Sequence, residues 1–223
     1  MSNKPLKASG RNKLEYIMSK KKKKVEELQE LPPYTIIFSE GIKTEPFYIR
    51  GLTQQVNNKF SEFSSNDRIV VIGTGRSALS LLEYARMIVS EKHSECQVVW
   101  LMYDKDDFPY DDFDNTQFSA EGRISNQIYR VAWSNECIEL WFLLHFQPLE
   151  SNISRNQYYD ILKKYIPYEK TLENIYDILS DKTQIAIERS ITLYNSYDES
   201  TPPSKRAPAT RVHELVKSLQ GYL

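Results

Sequence analysis

Glu40, Asp104 and Asp106 are the residues of this chain whose types and spacing point most directly to chemistry. Ser39-Glu40-Gly41 closes one short apolar run, and Asp104-Lys105-Asp106-Asp107 closes another. A hard cation such as Mg²⁺ takes oxygen ligands, often only a few carboxylates, with water or a substrate phosphate completing its shell. An Asp-x-Asp placed where a strand opens into a loop can turn both carboxylates toward one point, and a glutamate from the adjacent strand adds a longer reach. Without a cation, acids so close would repel and raise one another's pKa. The bland alternative is that these acids cap helices or sit on solvated loops, and Asp111, Asp112 and Asp114 read that way.

The positioning elements follow from apolar patterning. Tyr34–Phe38, Arg68–Ile72 and Val98–Tyr103 are short, almost continuously apolar and rich in β-branched or aromatic residues, the pattern of strands covered on both faces. Between them, Phe47, Tyr48, Leu52 and Val56 predict a helix over Glu45–Val56, and Leu81, Leu82, Ala85, Ile88 and Val89 predict one over Ser77–Val89. Strand–helix–strand–helix–strand implies βαβ units and a parallel sheet, whose active groups collect past the carboxyl ends of its strands. A fourth strand is expected over Asn126–Ala132 and a helix over Cys137–Phe146. Further helices are expected over 154–166, 171–180, 184–196 and 210–220. The proline-rich Ser200–Pro208 reads as a loop. Gly73-Thr74-Gly75-Arg76 follows a strand and opens a helix. It lacks a third glycine, so a tight turn is the first reading and a phosphate cradle the second.

The bulk composition narrows the class. The 223 residues carry a net charge of −1, unevenly spread. Residues 1–30 form a leader, flexible or helical, in which Lys4–Lys24 carries almost only basic residues and ends in the run Lys20–Lys24, so the remainder is acidic. That leader is either a solubilising tail or an arm for nucleic-acid phosphates. Two cysteines, Cys96 and Cys137, make neither a disulfide framework nor a zinc site. Neither a signal peptide nor a run of transmembrane length is recognisable, and a cytoplasmic location without membrane attachment is expected.

At this point the motifs resemble a family. Glu40-Gly41-Ile42-Lys43-Thr44-Glu45-Pro46-Phe47-Tyr48 is similar to the opening motif of RloB-like proteins. Tyr103–Asp107, Ser134–Phe146 and Ala209–Val216 agree in order, so that the resemblance spans roughly residues 34 to 220. It implies a Toprim-like (Rossmann-like) α/β catalytic domain over 31–150, a mostly parallel sheet flanked by helices, with a helical C-terminal region over 151–223 packed on it. It also implies a nuclease effector of prokaryotic anti-phage defence, acting on RNA or DNA and working beside an ABC- or AAA-type ATPase. Phe108-Pro109 stand where many Toprim domains have a glycine.

In that reading Glu40, Asp104 and Asp106 hold Mg²⁺ or Mn²⁺. Glu45 is a further ligand, a general base, or simply favourable charge at a helix N-terminus. Lys43 meets the phosphate or is an exposed lysine. Glu139, a poor core residue unless paired, is a second-metal ligand or an orienting group. On the helix it shares a face with Leu143, while Trp141 and His145 share another. Ser134 and Asn135 are read as caps of that helix, His145 and His213 as structural, and Arg211 as a phosphate-contact candidate. The competing reading, from another class, is a partner-regulated binding subunit of an ATPase complex without its own turnover. Primase-like synthesis is a third. A homo-oligomer is compatible with all of these.

Overall fold

The computed structural model describes residues 30–64, 66–106 and 109–223, with Lys13 and Glu15 as isolated helical positions. Apart from Lys13, Glu15 and Glu30, the basic leader lies outside the described residues, as does the Asp107-Phe108 dipeptide. Met1–Leu31 and Pro32–Leu223 separate as two units, and every element below belongs to the second.

Five strands lie side by side in the order β2-β1-β3-β5-β4, with β6 also pairing β5. They are β1 (Thr35–Ser39), β2 (Ile69–Gly73), β3 (Val98–Asp104), β4 (Gly122–Ile124), β5 (Gln127–Asn135) and β6 (Ala209–Thr210). β1 is parallel to both β2 and β3, and β3 is parallel to β5. β4 and β6 run antiparallel along opposite ends of β5. The three apolar runs are all parallel strands, but only β1 and β3 are buried as expected; β2 is the edge strand, with Ile69 buried and Val70–Gly73 half-buried. Side chains alternate between the two faces. Ile36, Phe38, Val99, Leu101, Tyr103, Val131 and Trp133 enter one hydrophobic cluster, while Ile37, Trp100, Met102 and Ala132 enter the other.

Helices cover both faces. α1 (Thr44–Lys59) buries Tyr48, Ile49, Leu52 and Val56 on one side, and α2 (Ala78–Lys92) buries Leu81, Leu82, Ala85 and Ile88 on the other. Pro46 sits in the first turn of α1, where its missing N–H leaves no intrahelical bond unmade. α3 (Tyr110–Ala120) departs from expectation, since its aspartates were read as loop acids. Phe113, Thr116 and Ala120, all fully buried, recur at helical spacing beneath them. Acids near a helix N-terminus favour the helix through its dipole, so the Asp-rich stretch opens α3 instead of looping.

The fourth strand is longer than expected and has a hairpin partner. Ile124 pairs Gln127 across Ser125-Asn126, and Ser125 takes a positive φ of 54°. α4 (Glu139–Leu144) is only six residues long, and all of them are buried. α5 (Arg155–Leu162) opens on a Ser154/Gln157 capping box. α6 (Ile175–Leu179) leads through one 3₁₀ turn into α7 (Thr183–Tyr194), and α8 (Val212–Gln220) ends the fold. The four predicted C-terminal helices exist with shorter bounds. The last loses its first two residues, because Thr210 is claimed by the β5 ladder and Arg211 takes the cap position. Leu162, Ile175, Leu179, Val212 and Val216 share one hydrophobic cluster with Ile37 and Trp100 of the sheet. The result is a Rossmann-like α/β architecture with a mostly parallel sheet, and no described helix is long and apolar enough to cross a membrane.

Candidate functional site

Glu40 is the first residue beyond β1, where its backbone N–H bonds Met102 O at 2.8 Å. The neighbouring turn pins it from the other side. Thr74 N–H bonds Ser39 O at 3.0 Å, Gly75 N–H bonds Glu40 O at 2.8 Å, and Arg76 N–H bonds Thr74 Oγ1 at 3.2 Å. Gly73-Thr74-Gly75-Arg76 is therefore a tight turn whose amides are spent on positioning Glu40. Gly73 lets that turn approach, since a Cβ there would lie 2.8 Å from Gly41 O and 2.9 Å from Ile42 Cα. Gly41 serves the carboxylate of Glu45, which folds back over it and would collide with any side chain at 41.

Asp104 ends β3 opposite Ser134 of β5. Its N–H reaches Glu40 Oε2 at 3.3 Å, and its own Oδ2 accepts Ile138 N–H at 3.1 Å. The chain then turns sharply. Lys105 N–H bonds Ser134 O at 2.9 Å, and Asp106 N–H bonds Glu136 O at 3.1 Å. Asp106 takes φ of 40°, a conformation uncommon outside glycine though less so for Asp. The loop after β5 thus ties down the Asp-x-Asp turn, and delivers Glu139 in the first turn of α4.

Glu40, Glu45, Asp104, Asp106 and Glu139 line one cleft of about 260 Å³, with Lys43, Arg155 and Lys170 as its cations. All six residues expected to carry the chemistry meet there. Among the described residues five carboxylates face three cations, and the imbalance is visible in the acids. Burial, opposed by the Asp104 N–H and reinforced by Glu45, pushes Glu40 up to about 7. Burial also raises Glu45, with Glu139 adding to it, while the amides of Glu45 and Gly41 pull back. Asp104 is held well above the usual carboxylate range by burial and then by Glu45, Glu139 and Glu40.

The donor set suits a hard cation, being all carboxylate oxygen. It is not drawn together. Among the described residues no three His, Cys, Asp or Glu side chains are gathered into a group that could hold a metal ion. Two of the acids have partners instead. Asp106 pairs with the Arg155 guanidinium, and Glu139 accepts a 2.5 Å hydrogen bond from the Tyr168 hydroxyl. Arg155, Tyr168 and Lys170 are the neighbours of the cleft acids that sequence reasoning missed. They lie around α5 and beyond it, where isolated basic and aromatic residues carry no spacing signal. A larger cavity, about 580 Å³, opens at the starting ends of the strands beside Thr35, Ile69 and Val98, and a single acid, Glu214, lines it.

The remaining candidates are structural. Ser134 and Asn135 do not cap α4. They end β5, where Ser134 Oγ meets Thr210 Oγ1 at 3.0 Å and Asn135 Nδ2 donates to Pro203 O and Ser204 O. The cap position belongs to Ile138, without a side-chain bond. His145 is fully buried against Trp141, with Nδ1 2.9 Å from Trp141 O, and burial lowers it to about 4. His213 is buried between Ser190 Oγ and Thr210 O, and burial lowers it too. Arg211 is not available to a phosphate, because Glu214 holds it bidentately at 2.6 and 2.8 Å and Glu121 at 2.6 Å.

No curated protein and no solved structure matches the chain. The family model described as RloB-like protein matches residues 35–219, from the first residue of β1 to the penultimate residue of α8. With the acids of its opening motif in the cleft and the match running over most of its length, the chain belongs to the RloB-like protein family.

Proposed function

We propose that this chain is a metal-dependent phosphodiesterase, an endonuclease acting on RNA or DNA with a Toprim-like site. The observation carrying this reading is the surplus of carboxylate in the cleft past β1 and β3, where among the described residues five acids, three of them buried, face three cations. Such a surplus calls for a hard cation. Glu40, Asp104 and Asp106 would hold Mg²⁺ or Mn²⁺, with Glu139 as a further ligand or orienting group. When bound, the metal supplies an activated water and charge neutralisation at the phosphate. Glu45, raised by burial, would take a proton within the cleft. Lys43 is exposed at its mouth, suited to a phosphate of the incoming strand. The family resemblance adds the setting: a cytoplasmic effector of anti-phage defence, paired with an ABC- or AAA-type ATPase.

The test is incubation with tRNA, single-stranded DNA and plasmid, in Mn²⁺ or in EDTA. Cleavage should require the metal and be lost in Glu40→Gln and Asp104→Asn. Cleavage that survives both changes sinks the assigned site. One observation favours a second reading, a binding subunit that turns over only with its partner: Arg155 and Tyr168 engage Asp106 and Glu139, so the ligands are not gathered. Activity that appears only when the neighbouring ATPase is added would select it.

A further inference from the structure

We infer that Arg155 is a displaceable counter-ion of this site: it neutralises Asp106 until a divalent cation takes that carboxylate, and its freed guanidinium then binds a nucleic-acid phosphate at the cleft. The inference rests on the metal-site reading above. Its footing is geometric. Arg155 is the first residue of α5, and the Ser154/Gln157 capping box fixes the backbone there, so only the side chain needs to move. Its guanidinium pairs with Asp106 and also pulls down the pKa of Glu40, so its charge is felt by two of the three expected ligands.

The pair is strong enough to form and weak enough to exchange. Its side chains are 33% and 23% exposed, so water reaches the pair and screens part of its attraction. A divalent ion shared by several carboxylates outcompetes a single guanidinium in such a site. Arg155 has an incomplete partner set, for its Nε is buried without a hydrogen bond among the described residues. A planar guanidinium released from Asp106 still lines the cleft, and it matches phosphate oxygens two at a time. Lys43 and Lys170 flank the same opening, so a strand entering it meets positive charge on more than one side.

The experiment couples two titrations in the full-length protein. Mn²⁺ binding is followed by the loss of the free-ion electron paramagnetic resonance signal. Binding of a labelled mixed-sequence RNA oligonucleotide, and of its DNA counterpart, is followed by anisotropy in EDTA and in Ca²⁺. In Arg155→Gln, Mn²⁺ should bind about two- to fivefold tighter, because a competing cation on Asp106 is removed. The gain in oligonucleotide affinity that Ca²⁺ brings should shrink by roughly fivefold, and Arg155→Lys should recover part of it. Mn²⁺ affinity that is unchanged or weaker in Arg155→Gln overturns the counter-ion role. An undiminished Ca²⁺-dependent gain overturns the phosphate role. A wild-type protein that takes up no Mn²⁺ overturns the metal reading itself, and this inference with it, a result separate from the other two. Equal melting temperatures of the three proteins confirm that the readouts do not report unfolding.

Discussion

Two polar clusters lie near the carboxyl ends of the parallel strands, and they are built on opposite terms. Along the outer edge of β5, the charged groups Asp114, Arg206 and Arg211 all have geometric partners. Asp114 accepts Ser204 N–H at 2.7 Å and Ser204 Oγ at 2.6 Å, and Arg206 donates to Thr201 O and Glu199 O. Arg211 is shared by two glutamates, and Ser134, Thr210, Ser190 and His213 close a buried chain of contacts. In the cleft between β1 and β3, acids outnumber cations and three of them have raised pKa values. Buried polar groups are tolerable when satisfied and costly when they are not. The edge network therefore reads as structure, and the cleft as a site whose stability was given up for binding.

Exchange of single residues separates the two most clearly. Asp104→Asn keeps the size and one acceptor but removes a buried charge. It should lower metal-dependent cleavage by about 10²–10³-fold while leaving the melting temperature equal or higher. A variant that loses activity and stability together would place Asp104 with the edge network. Asp114→Ala should do the reverse. Losing two charge-assisted hydrogen bonds costs about 2–4 kcal/mol in urea unfolding, with specific activity intact well below the transition. A neutral result would show that the edge is not fastened by this acid.

Gly41→Ala probes the cleft at its tightest point. The new Cβ displaces the far end of a flexible side chain, the Glu45 carboxylate, so the fold should survive. Activity should fall roughly tenfold, the effect of a misplaced group near the chemistry, and full activity would remove Glu45 from the mechanism. The smallest effect concerns pH. The folded-state pKa of Glu40 is about 7, against 4.5 ordinarily, so the folded protein holds that proton more tightly. The stabilisation is complete below about pH 4.5 and is lost as pH rises through about 7. Melting in EDTA should drop by about 2–4 °C across that window, screened by partial exposure, and Glu40→Gln should flatten the upper part. Mn²⁺ should restore the lost degrees at about pH 8; a flat wild-type profile would mean that the cleft acids are not in conflict.

Much of this was legible in the chain itself. The apolar runs at β1 and β3 became central parallel strands because both-face burial writes an almost unbroken apolar pattern, whereas the equally apolar β2 lies half-buried at the sheet edge. Strand-end placement brought Glu40 and Asp104 together across β1 and β3 as expected. Other features were hidden for physical reasons. Asp111, Asp112 and Asp114 looked like loop residues because helix propensity penalises aspartate, yet the helix dipole rewards it at the start of α3. Ser134 and Asn135 have the residue types of caps, but side-chain oxygens and amides serve a strand edge equally well. Arg211 looked free because its acidic partners sit three residues along α8 and across the fold at Glu121.

The sequence by itself determined the sheet, its helical cover, the family and the five acids that share the cleft. Local patterning and a few marked residues suffice for those. Only the tertiary structure decided which charges oppose them. Arg155, Tyr168 and Lys170 reach Asp106, Glu139 and the cleft mouth from a region about 30–65 residues distant in the chain, through the packing of α5 and the segment after it. Periodicity records which face of an element is buried. It does not record which distant charge will be brought against it, because that depends on how separate elements dock.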